Sequence, residues 1–156
     1  MASIKAKRLV GDLYQTDHDY PAKGFMLEYC KKKSDDNDLN RVSNNVFKVV
    51  TYLADHDVAH NVFMTKGRSL SSSSLSSDDD DTIRILIWPR ETITGHKDPG
   101  DFCIAVCELA GQILIYNQQA YNNMDENKII EAHKKTCQSV FEIVTPNIIQ
   151  LFDSGE

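Results

Sequence analysis

Two histidines stand four residues apart in the stretch His56-Asp57-Val58-Ala59-His60. On one helical turn, such a pair beside a carboxylate can hold zinc, given a glutamate general base and a third ligand. Asp57 is one methylene shorter than glutamate, which shortens its reach to a metal-bound water. His96 and His133 are the available third ligands, and neither sits in a supporting motif. The residues that follow also change period. Val58, His60, Val62 and Met64 fall to one side, and Ala59, Asn61, Phe63 and Thr65 to the other, which predicts a strand. The pair then straddles a helix end, and spacing of four no longer stacks the imidazoles. The expectation is no metal and no cofactor. His56 sits at a helix C-terminus, where a protonated imidazole suits the dipole, and His60 points from a strand.

Other reactive side chains are scattered. Cys103 and Cys107 are four apart, not the two-residue spacing of a zinc knuckle or redox pair. With Cys30 and Cys137 they read as free thiols acting as small hydrophobes in a reducing compartment, which points to the cytoplasm. Ser71 to Ser74 fall in RSLSSSSLSSDDDD, residues 68–81, a polar run that cannot bury enough apolar area to offset its ordering entropy. It is expected to be a mobile loop, whose serines followed by aspartates could also suit an acid-directed kinase. The chain contains no G-x-S-x-G, no P-loop and no G-x-G-x-x-G after a strand. His133 lies on an apolar helical stripe and reads as a core-edge histidine rather than a base.

The elements that must position these groups are legible in outline. GFMLEYC, residues 24–30, is rich in strand formers. Leu39, Val42, Val46, Val49, Val50 and Leu53 recur at steps of three and four and predict a helix over 39–54 with Asp38 as N-cap. The alternating strand after His56 ends at Lys66-Gly67. TIRILIWP, residues 82–89, is nearly continuous in strand formers, as a strand buried on both faces would be. The two strands should pair as a hairpin with a long tip. Residues 102–117 begin as strand or helix, break at Gly111 and continue as strand. Ile129, Ile130, His133, Cys137, Val140, Phe141 and Val144 predict a helix over 125–144, capped by Asp125 and stopped by Pro146. The sum is an α+β fold, an antiparallel sheet with packed helices, in a single domain over 1–156.

Composition narrows the function classes. The chain has 156 residues, 41% of them hydrophobic, and a net charge of −6. An acidic chain is a poor candidate for nucleic acid, which needs a basic face. No apolar run is long enough to span a bilayer, and the N-terminus has no apolar segment with a cleavage pattern.

Three phrases in order carry a resemblance: YLADHDVAHNVFMTKG, IRILIWPRE and DFCIAVCELAGQILIYN. With RLVGDLYQ and DYPAKGFMLEY upstream, they resemble the C-terminal half of the GDP-D-glucose phosphorylase family, from about residue 7 to 145. More distantly, the layout is similar to the second half of diadenosine tetraphosphate phosphorylases. Both belong to the histidine-triad superfamily, and the resemblance implies a histidine-triad-like half-domain lacking the catalytic triad. The implied reaction is GDP-glucose plus phosphate giving GDP plus glucose 1-phosphate, through a GMP-histidine intermediate on an H-x-H-x-Q-type motif. Here no two histidines are two apart, so no catalytic residue is assigned to this chain. The resemblance brings the segment around Val106, Cys107, Glu108 and Gln112 near a nucleotide, with core packing as the competing role. Tyr116 stands where relatives usually carry a lysine, and Glu91 where they often do; both changes lower local positive charge. Arg90 is the candidate phosphate contact, against a strand-end arginine pairing with a surface carboxylate. GDP-glucose or GDP is then a ligand only in the context of the full enzyme. The alternative is a non-catalytic interaction module that forms a homo- or hetero-dimer through an exposed sheet.

Overall fold

A computed structural model of the chain describes residues 6–16, 20–30, 36–67, 69–70, 82–91, 115 and 117–154. Most of the 68–81 run and nearly all of 102–117 lie outside the described residues. Five strands form one antiparallel sheet: β1 (Ala6–Val10), β2 (Leu13–Thr16), β3 (Phe25–Cys30), β4 (Ala59–Gly67) and β5 (Thr82–Arg90), in the order β1-β2-β3-β5-β4. Among the described residues three helices accompany it: α1 (Asp36–Asp55), α2 (Gln118–Asn122) and α3 (Glu126–Asp153). The expected α+β architecture is present, with one long helix before the central hairpin and one after it.

The hairpin of β4 and β5 is paired along its whole length, from Ala59 opposite Arg90 to Gly67 opposite Thr82. β5 also pairs with β3, Phe25 opposite Ile87 and Leu27 opposite Ile85. Flanked on both edges, β5 is buried at nearly every position, which explains its unbroken run of strand formers.

The register divides the sheet into two faces. Leu13, Phe25, Leu27, Ile85 and Ile87 lie on one, beneath Val42, Val49 and Leu53 of α1 and Phe141, Val144 and Ile148 of α3. Phe25 and Phe141 meet with ring centroids 4.8 Å apart. Met26, Leu86 and Trp88 lie on the other, packed with Ala22, Cys137, Tyr20, Phe63, Leu70 and Ile129. On this second face Gly24 is required by contact: a Cβ there would stand 2.5 Å from Trp88 Cδ1.

The helices differ from expectation at their ends. α1 begins at Asp36, so Asp38 lies inside its first turn rather than capping it. Its carboxylate suits the positive helix end and pairs with Arg41 three residues on. Leu39 is exposed, so the buried stripe starts at Val42. Asp125 does cap α3, its side chain accepting from the Lys128 amide at 3.0 Å. Pro146 does not stop α3, which runs on to Asp153. Proline in a helix interior removes a backbone bond and costs about 3 kcal/mol. Beyond it, Ile148 is completely buried and Phe152 packs on the core, and each such side chain contributes about 1.5–3 kcal/mol. The apolar spacing 141, 144, 148, 152 therefore carries the helix through the proline. No described helix is long and apolar enough to cross a membrane.

Candidate functional site

His56 and His60 are separated by a helix stop. The Val58 amide donates to the Leu53 carbonyl at 2.8 Å, and the Asp57 amide to that of Ala54 at 3.1 Å. This pair of bonds is a Schellman termination, with Val58 packing on the core cluster that contains Leu53. Its left-handed position, usually glycine, is Asp57 at φ 54. His56, just past the end of α1, donates from Nδ1 to the Tyr52 carbonyl at 2.8 Å and stacks on the Tyr52 ring at 4.1 Å. His60, in β4, donates from Nδ1 to the Val58 carbonyl at 2.9 Å. Each imidazole is thus tied to its own backbone, and the pair shares no ligand geometry. Among the described residues, no group of three His, Cys, Asp or Glu side chains is placed to hold a metal. His60 and Asp57 line a shallow depression of about 320 Å³ with Ala54, Val58 and Ala59.

Arg90 occupies the last position of β5 on the second face, opposite Ala59. It is buried, only 4% exposed. Its Nη1 donates to Asn61 Oδ1 at 2.6 Å, across the hairpin. Asn61 was missed as a site residue, although strand alternation places it on the same face as Arg90. The chain then meets α3: the Glu91 amide donates to the Thr136 carbonyl at 3.1 Å. That contact brings Arg90 near Cys137.

Cys137 is completely buried. Burial pushes its thiol up from 9.0 to about 12, against the opposing pull of the Arg90 guanidinium. Burial, and then Cys137, also raise the Tyr20 phenol above its ordinary 10.0. Cys137 is therefore a neutral thiol at pH 7 and a packing group, not a nucleophile. Nearby, His133 donates from Nδ1 to the Ile129 carbonyl at 2.8 Å, as a buried residue of the α3 stripe.

The other end of this face holds a second polar cluster. Arg84 Nε donates to Glu28 Oε1 at 3.0 Å, and the same carboxylate accepts from the Leu70 amide at 3.0 Å. These bonds fasten the start of the connection that leaves β4. Next to Glu91, a shallow depression of about 390 Å³ is lined by Lys134, Lys135, Gln138, Ser139 and Glu142. Its two lysines are balanced by two glutamates, so it offers no net positive field for a polyanion. Val106, Cys107, Glu108, Gln112 and Tyr116 lie outside the described residues.

Known proteins bear directly on this arrangement. The family model described as "GDPGP1-like, C-terminal domain" matches residues 14–154. GDP-D-glucose phosphorylase 1 of Xenopus laevis is 31% identical over 112 residues, covering 72% of this chain and 27% of that protein. The Homo sapiens protein is 33% identical over 112 residues, covering 69% and 27%. That of Bos taurus is 34% identical over 110 residues, covering 68% and 26%. The chain thus spans about a quarter of the length of these relatives, less than the half that the resemblance in sequence suggests. No solved structure matches it significantly. A match over residues 14–154 covers nearly the whole chain and both faces of its sheet, and the chain belongs to the GDPGP1-like C-terminal domain family.

Proposed function

We propose that this chain serves as the C-terminal part of a GDP-D-glucose phosphorylase, a nucleotidyltransferase of the histidine-triad superfamily acting in the cytoplasm. The observation that carries the reading is the family match over residues 14–154. In this reading, a histidine supplied outside this sequence attacks the α-phosphate of GDP-glucose and releases glucose 1-phosphate. Inorganic phosphate then takes the GMP group and leaves as GDP. A neutral imidazole suits both steps, as nucleophile near pH 7 and as leaving group once protonated.

This chain's share is nucleotide positioning. Arg90 is its proposed phosphate contact: a guanidinium sheltered from water and oriented by Asn61. Val106, Cys107, Glu108 and Gln112 are proposed to border the nucleotide, with Tyr116 in place of a charge. The test is a chimera in which this chain replaces the matched region of the Xenopus laevis relative. It is expected to release glucose 1-phosphate from GDP-glucose and phosphate, and Arg90→Lys is expected to raise KM at least tenfold. A folded but inactive chimera would oppose the reading and favour the second one, a non-catalytic interaction module. The observation behind that alternative is the exposure of the apolar side chains of Val62 and Met64 on β4.

A further inference from the structure

We draw no further inference here: the strongest candidate, the exposed apolar patch that Val62 and Met64 form on β4, the outermost of the described strands on its side of the sheet, carries nothing because no feature of the structure shows what covers it.

Discussion

The two faces of the sheet are built from different chemistry. The face under α1 and the second half of α3 has a hydrocarbon core, with Leu13, Phe25, Leu27, Ile85 and Ile87 against aliphatic and aromatic helix positions. The opposite face has apolar side chains in its middle and buried polar groups at both ends: Glu28 with Arg84, and Arg90 with Asn61. Among the described residues, the Trp88 Nε1 atom is buried there with no hydrogen-bond partner. Burying such groups opposes folding unless they are well paired. The first face therefore supplies most of the stability. The second carries the groups whose placement has a cost and whose chemistry is of use.

Breaking the first face should do most damage. Phe25→Ala removes a completely buried ring from its contact with Phe141 and should cost about 3–5 kcal/mol, read by urea denaturation. A loss below about 1 kcal/mol would mean that the hydrocarbon face is not the main support. On the second face, Asn61→Ala leaves the Arg90 Nη1 without its 2.6 Å acceptor and should cost about 1–3 kcal/mol. Its larger signature should be on nucleotide use in the chimera, where Phe25→Ala at low temperature should have little.

The faces should also differ in alkali. The Cys137 thiol and Tyr20 phenol are both raised in the folded chain. Below pH 9 both are protonated whether folded or unfolded, and their neutral burial is fully favourable. As pH rises above 9.0, the unfolded thiol ionises while the folded one keeps its proton until about 12. Stability should therefore fall with rising pH across that window, and Cys137→Ala should flatten the fall, as followed by thermal melts at several pH values.

The smallest expected effect is a gain. Asp57 holds a left-handed conformation at φ 54 at the end of α1, which costs a non-glycine residue about 1 kcal/mol. Asp57→Gly should raise stability by about 0.5–1 kcal/mol. A loss would show that the Asp57 side chain makes a compensating contact.

Period carried most of what could be read from sequence. Strand alternation located β4 and its hairpin partner, and the unbroken apolar run of 82–89 located the central strand. The change of period after His56 correctly separated two histidines that spacing alone would pair. Helix ends were less legible, because they are decided by tertiary contacts. Pro146 looks like a stop until Ile148 and Phe152 are counted as core. Asp38 looks like a cap beside several equally good capping residues. The site was the least legible part. Arg90 stood out by type, but its contact with Asn61 depends on hairpin register, which no local pattern specifies.

The most direct measurement is to incubate the purified chain alone with GDP-glucose and phosphate and assay glucose 1-phosphate. The account predicts no release above the protein-free control, because no two of its histidines have the spacing of the nucleophile motif. Turnover by the isolated chain that survives replacement of all five histidines would contradict it.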